Sequence, residues 1–298
     1  MSGNPPVLDK NLVRRHFGRA ASGYEATAVL QDRVGQDLVD RLSFMRLAPQ
    51  WILDLGAGTG LQSRRLNRLY PRARVLALDL AWPMLGEARS RKSWRQRQYY
   101  LQADAEHLPL RDAAMDLVFS NLSLQWVNDL DATLGGLRRV IRPGGLLLFT
   151  TLGPDTLKEL RQSFGQLDGH AHVNPFLDMH DLGDALVRNG FSGPVLDVEH
   201  HVLTYASVDG LLRDLRGIGA GNALAGRRQG LWTPRGLQRL RGAYEAWRMP
   251  DGRLPAHYEV IHAHAWVPED GPAGREPAPE TRKSLRFWPR GAAPGGRV

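Results

Sequence analysis

Residues Trp51 to Gly60 read WILDLGAGTG, an apolar run that joins three glycines at alternate positions and then a helical pattern. That order predicts a strand, a tight turn and a helix start. Gly56, Gly58 and Gly60 carry no Cβ, so the backbone there can take positive φ and come close to a ligand. A nucleotide-like cofactor is the first expectation. The spacing differs from the GxGxxG dinucleotide fingerprint, and packing alone also makes such turns glycine-rich.

Working outward, Arg74 to Leu80, RVLALDL, forms a second buried-strand pattern whose Asp79 falls 21 positions after Gly58. An acidic side chain placed there can accept hydrogen bonds from ribose hydroxyls, which both NAD and S-adenosylmethionine carry. Three further blocks follow: Gln102 to Leu110, QADAEHLPL; Ala114 to Trp126, AMDLVFSNLSLQW; and Arg139 to Thr151, RVIRPGGLLLFTT. Over about residues 50 to 152 these blocks together resemble the class I S-adenosylmethionine-dependent methyltransferases. The resemblance implies that Gly56 and Gly58 back the methionine part and Asp79 holds the ribose. It implies that Asp104 and Ala105 reach the adenine and that Asn121 and Leu122 line the pocket mouth. Asp54, Leu80 and Met84 complete the implied cofactor set.

Each residue has a plainer reading. Asp104 can be an N-cap, Asn121 a turn former and Asp79 the cap of a helix beginning near Trp82, while Leu80, Met84 and Leu85 suit a core. Co-occurrence in order at strand ends favours the site, since ligands of open α/β sheets sit at the carboxyl ends of strands.

Composition fits an enzyme with a full core. The chain has 298 residues, 42% of them hydrophobic and 23% charged. No apolar run approaches the roughly 18 residues of a membrane-spanning helix, so no membrane partner is expected. The opening MSGNPPVLDKNLVRR lacks an apolar core and a cleavage pattern, which makes a cytoplasmic location the expectation. The absence of cysteine excludes disulfides, thiolate metal sites and a Cys nucleophile. None of the ten histidines stands in an HExxH pattern, and no metal is assigned.

The formal charge is +8, with a pI of 10.2, which points to an acidic partner. The charge is not gathered into a nucleic-acid-binding helix: the cluster Arg89, Arg91, Lys92, Arg95 and Arg97 around Trp94 reads equally well as a solvated helix end. Residues 205 to 248 hold eight arginines against three acids. They read as helices, one with Thr233 as N-cap and Pro234 at its first position. Lying between a strand near Pro194 to Val202 and another near His257 to Val267, they form an insertion expected to cover the carboxyl ends as a lid.

A narrower resemblance then emerges. Arg15 to Gln31, RHFGRAASGYEATAVLQ, is similar to the opening of the malonyl-acyl-carrier-protein O-methyltransferases of biotin synthesis. So are FTTLGPDTLKEL from Phe149, HVNPFLDMHDLGDAL from His172, LLRDLRGIGAGN from Leu211 and DGRLPAHYEVIHAHAW from Asp251. The matches run from about residue 10 to residue 267. The resemblance implies methyl transfer from S-adenosylmethionine to the free carboxylate of malonyl-acyl carrier protein, giving the ester that primes pimeloyl synthesis. The implied fold is Rossmann-like α/β. Its seven-stranded sheet has six parallel strands and one antiparallel, the last run entering beside the fifth strand. Expected boundaries are an N-terminal helical cap (1–48), a cofactor-binding core (49–204), the lid (205–248), the final core strand (249–267) and a disordered tail (268–298).

A malonyl carboxylate titrates near about 4 and needs no general base. Alignment and exclusion of water must carry the rate. Arg213 is the expected carboxylate clamp, because a guanidinium offers two parallel charge-assisted bonds. Arg216, three residues on, shares its helix face. Tyr24, between two predicted helices, is expected to close over the sulfonium or orient the carboxylate. Arg216, Arg227, Arg228, Arg235 and Arg239, with Arg241, are expected to dock an acidic carrier protein. Two other readings remain open: a related methyltransferase-fold enzyme acting on a protein substrate, and an assembly factor that binds S-adenosylmethionine without turnover.

Overall fold

The computed structural model of the chain describes residues 7–168, 170–227 and 233–269. Seven strands form one sheet: β1 Trp51–Leu55, β2 Arg74–Asp79, β3 Gln98–Gln102, β4 Met115–Ser120, β5 Ile141–Leu152, β6 Ser192–Tyr205 and β7 Leu254–Trp266. Their order is β3-β2-β1-β4-β5-β7-β6. Only β7 runs antiparallel, inserted between β5 and β6, so the expected sheet of six parallel strands and one antiparallel strand is the one observed. Strands β1 and β4 are buried almost throughout, as parallel strands covered on both faces must be.

The helices are α1 Lys10–Ala20, α2 Tyr24–Thr27, α3 Val29–Arg41, α4 Leu61–Leu69, α5 Trp82–Ser90, α6 Leu130–Val140, α7 Lys158–Gly165, α8 Met179–Arg188, α9 Val208–Gly217 and α10 Pro234–Glu245. On one face of the sheet, Leu38 and Val39 of α3 and Leu66 of α4 pack on Ile52, Val75 and Phe119. On the other, Leu134 and Leu137 of α6 and Leu182 and Leu186 of α8 pack on Leu53, Val118 and Leu147. Local chemistry sets the helix starts. Asp9, Asp129 and Asp178 each accept a backbone N–H from their own first turn, and Thr233 caps α10 with Pro234 in the first turn.

The sheet order reverses between β1 and β4, the switch point where an open α/β sheet leaves a crevice. Two segments roof it. The first comprises α1 and α2; the second is the stretch between β6 and β7. They join through an antiparallel bridge, Leu8 to Leu224, flanked by hydrogen bonds from Asp9 N to Ala223 O and from Ala225 N to Val7 O, both 2.8 Å. The insertion is fastened to the sheet by α10, whose fully buried Tyr244 donates its hydroxyl to Pro255 O of β7 at 2.8 Å. Tyr244→Phe leaves that carbonyl unpaired in the interior. It should lower unfolding stability by about 1–3 kcal/mol in urea titration, with little change in secondary structure.

Candidate active site

Ten of the sequence-selected residues line one chamber at the switch point: Tyr24, Gly56, Gly58, Asp79, Leu80, Met84, Asp104, Ala105, Asn121 and Leu122. They come from five separate stretches, brought together because the turns after β1, β2, β3 and β4 all open on the same edge of the sheet. Gly56 has φ +72°, and a Cβ there would lie 2.0 Å from Ser123 Oγ. Gly58, φ +54°, meets nothing closer than the Tyr24 ring at 4.0 Å, so its missing side chain leaves open space for a ligand. The two oxygens of Asp79 accept the Gly58 and Ala81 N–H groups at 2.8 Å each. Each oxygen keeps a second lone pair for a ligand hydroxyl.

Asp54 is placed differently. It is buried behind the glycine turn, where it accepts from Ser63 Oγ, and it faces a smaller recess rather than the main chamber. Burial pushes its carboxyl up to about 7, and the charge of Asp79 adds to this. Burial also raises Asp79, against the pull of its backbone hydrogen bonds.

Asp104 binds Lys10 Nζ at 3.0 Å, and Glu106 binds the same ammonium at 2.8 Å. Asp104, Glu106 and His107 are the only acid and histidine group among the described residues whose ligand atoms lie within 4.8 Å of one another. Lys10 pairs with both acids, so the cluster is an ion-pair network on the wall of this chamber. Asn121 donates to Gln31 O at 2.9 Å and accepts from Thr150 Oγ1 at 2.9 Å, which fixes the end of β4. Leu122 holds φ +47°, a left-handed conformation costly for a branched-side-chain residue, stabilised by bonds from its N–H to Thr150.

A second chamber adjoins the first through a common wall of Phe17, Tyr24, Leu122 and Trp126. With open mouths included, the two enclose about 760 and about 650 Å³. The wall is apolar and aromatic, with Phe17 and Trp126 edge to face at 5.2 Å. Burial and the nearby Asp79 carboxylate raise the Tyr24 phenol well above its ordinary range, so it is a neutral donor at any physiological pH. The outer chamber is otherwise lined by aliphatic residues, among them Leu160 of α7 and Leu215 of α9, by His172, Phe176 and Tyr258, and by the amides Gln31, Gln125, Asn174 and Asn222.

Sequence reasoning passed over Glu25. Its carboxylate takes Thr59 Oγ1 at 2.7 Å, Arg64 at 2.9 Å and Arg91 at 2.6 Å, tying α2 to α4 and the end of α5. Burial opposes its ionisation, but those hydrogen bonds and charges outweigh it and hold the carboxyl below its usual value. Its position beside Tyr24 was the available signal. Lys10, Phe17 and Trp126 were missed because only the folded chain brings them to the chamber.

The clamp expected at Arg213 is not formed. The side chain is exposed on α9 and lines neither chamber, because the face of α9 turned inward carries Leu211, Leu215 and Ile218 just beyond it. Arg216, Arg235 and Arg239 are also exposed, and none of the four forms an ion pair among the described residues. Arg227 is half-buried and donates to Leu224 O; Arg228 lies outside the described residues. Arg241 is withdrawn from the basic surface by a two-bond pair with Asp209.

Residues 53–149 match the methyltransferase domain family. The chain is 46% identical to the malonyl-[acyl-carrier protein] O-methyltransferase of Methylovorus sp. (strain MP688), over 98% of this chain and 99% of that protein. It is 50% identical to the enzyme of the same name from Gallionella capsiferriformans, over 89% and 93%. This chain belongs to the malonyl-[acyl-carrier protein] O-methyltransferase family. Among solved structures, the YcgJ protein of Bacillus subtilis is similar in fold, with a TM-score of 0.58 at 14% identity over 78% of this chain and 99% of its own.

The acids behind the glycine turn give this family member a testable pH signature. Asp54 is harder to ionise folded than unfolded, so its contribution to stability is complete in acid and lost as pH rises from about 4 through about 7. Asp54→Asn should show a smaller fall in melting temperature over that interval than the unaltered protein. Parallel curves would show that Asp54 is ionised throughout.

Proposed function

We propose that the chain transfers the methyl group of S-adenosylmethionine to the free carboxylate of malonyl-acyl carrier protein, the step that gives a methyl ester for pimeloyl synthesis on the way to biotin. The observation that carries this reading is the pair of adjoining chambers with one apolar wall between them. The inner chamber has the donor's complement: carboxylates for ribose and adenine, open backbone at Gly58, and the apolar Leu80 and Met84. The outer chamber suits an uncharged thioester arm.

Bound donor supplies an electrophilic methyl on a sulfonium. The protein's part is placement. Phe17, Tyr24 and Trp126 turn aromatic surface to the junction, which favours a cation and excludes water that would solvate the nucleophile. The substrate carboxylate is already ionised, so no base has to accept a proton. Holding oxygen, methyl and sulfur in line can lower the barrier by about 7 to 11 kcal/mol. Tyr24, neutral at the junction, can donate to the oxygen that does not attack, leaving the other free. Glu25 and its three partners hold that tyrosine over the glycine turn.

The carrier docks on the exposed arginines of α9 and α10, namely Arg213, Arg216, Arg235 and Arg239, and Arg227 and Arg228 of the same insertion add to its positive charge. No helix among the described residues is long and apolar enough to cross a membrane.

Purified protein incubated with S-adenosylmethionine and malonyl-acyl carrier protein should give the methyl ester by mass spectrometry, with none on free malonate. Donor binding without ester would sink the reading. Tyr24→Phe should lower turnover about tenfold or more while leaving donor affinity near that of the parent. Unchanged turnover would remove the hydroxyl from the mechanism. The KM for malonyl-acyl carrier protein should rise with salt as the Debye length shrinks below about 8 Å, whereas that for malonyl-pantetheine should hardly move.

A further inference from the structure

We propose that the phosphopantetheine arm of the carrier enters the outer chamber through a side passage between α9 and the start of α3, where Arg253 meets the arm's phosphate at the mouth. The inference rests on the malonyl-thioester reading. The passage encloses about 590 Å³ with its open mouth included. It adjoins the outer chamber along Leu30, Gln31, Leu215, Ile218 and Tyr258, which line both. None of its residues lines the inner chamber, so an arm lying in it reaches the outer chamber without crossing the donor's space.

The lining suits an uncharged chain that carries amides. Val29, Leu203 and Leu215 supply apolar wall, and Thr27, Gln31 and Tyr205 supply hydroxyl and amide groups. The main-chain carbonyl of Gln31 accepts from Asn121, whereas its side-chain amide forms no hydrogen bond among the described residues and keeps a donor and an acceptor for the arm. Hydrogen bonds link Tyr258, Tyr205 and Asp214 along the passage. The Asp214 carboxylate repels a second anion inside, which keeps the phosphate at the mouth.

Arg253 stands at that mouth. Its Nη2 donates to Thr204 O at 2.6 Å and its Nε to Thr204 Oγ1 at 3.3 Å, and Thr204 is an exposed residue of the passage lining. Those bonds occupy one edge of the guanidinium and leave the edge bearing Nη1 for an oxyanion. Arg253 is itself exposed and forms no ion pair among the described residues, since Asp251 accepts its backbone N–H instead. Arg213 and Arg216 of α9 bracket the lining residues Asp214 and Leu215 and add positive charge.

A second opening is larger but wrongly charged. A groove of about 1000 Å³, mouth included, shares Gln125, Leu152 and Phe176 with the outer chamber. Its lining residues Leu130, Leu177 and Leu182 stand next in sequence to Asp129, Asp131, Asp178 and Asp181, all exposed. Of the cations there, Arg188 is taken by Asp131 at 2.8 Å, and His180 meets Asp178 at 2.8 Å. A phosphodiester with an acidic carrier behind it is repelled at the groove and attracted at the passage.

The test compares malonyl-pantetheine, malonyl-phosphopantetheine and malonyl-acyl carrier protein on the whole protein. Val29 lines the passage and is 62% exposed, so Val29→Trp can fill it without entering the core. It should raise the KM of all three substrates several-fold, with donor affinity by calorimetry unchanged as evidence of an intact fold. Leu177→Trp, placed on the groove at a residue 46% exposed, should leave those KM values where they were. In the parent the phosphorylated arm should have a KM roughly three- to tenfold below that of malonyl-pantetheine, and Arg253→Gln should abolish the difference. A rise with Leu177→Trp in place of Val29→Trp, or no rise with either, overturns the passage. A parent without phosphate preference, or a preference that survives Arg253→Gln, overturns the part given to Arg253. A parent that forms ester on none of the three substrates instead overturns the methyl-transfer reading, and the inference falls with it.

Discussion

Two backbone N–H groups, from Gly58 and Ala81, converge on the carboxylate of Asp79. This joins the turn after β1 to the turn after β2, together with backbone bonds from Gly56 N and Ala57 N to Leu78 O, and so fixes the edge on which the inner chamber opens. The bonds to Asp79 stabilise the ionised acid against burial, which pushes the other way. Asp54 lies behind it, and burial, with the charge of Asp79, raises its carboxyl to about 7 against the hydrogen bonds from Ser63. A neutral Asp54 at moderate pH relieves charge repulsion at the point where Asp79 has to remain an acceptor.

The floor rests on apolar packing, and the two segments of the roof are held in different ways. Sheet and flanking helices share continuous cores on both faces. The insertion shares a buried apolar cluster with the sheet, Val208 and Leu211 of α9 and Leu240 and Tyr244 of α10 lying with Leu254, Tyr258 and Val260 of β7, whereas α1 and α2 rest on a small cluster around Leu8, Val13 and Leu224, on Lys10 between Asp104 and Glu106, and on Glu25 with its arginines. Small clusters and partly exposed ion pairs open at lower cost than a core. Of the two roof segments, the N-terminal one has the smaller buried apolar contact.

The wall shared by the two chambers carries no carboxylate, histidine or lysine among the described residues, and transfer to an ionised carboxylate requires no base. Its residues place, dry and orient. Among the described residues no arginine lines either chamber; a strong cation on the carboxylate would dull its nucleophilicity. Cationic residues are instead kept outside, on α9 and α10, where a macromolecular partner can use them and the substrate carboxylate cannot.

Much of this was legible in the chain. Alternating glycines after an apolar run, an acid 21 residues later and polar residues closing each strand pattern determined the sheet and the inner chamber, because strand ends and tight turns are local features with strong residue preferences. The helical stretch with Thr233 and Pro234 was readable for the same reason. The direction of Arg213 was not, since both sides of a short amphipathic helix carry long side chains and only packing decides which turns inward. Nor was the meeting of Lys10 with Asp104, 94 residues away, or of Glu25 with Thr59, Arg64 and Arg91. The sequence by itself determined which elements form and where a nucleotide-like ligand would lie. Tertiary structure alone decided which charges pair and how two chambers share one wall, because those depend on contacts between segments far apart in the chain.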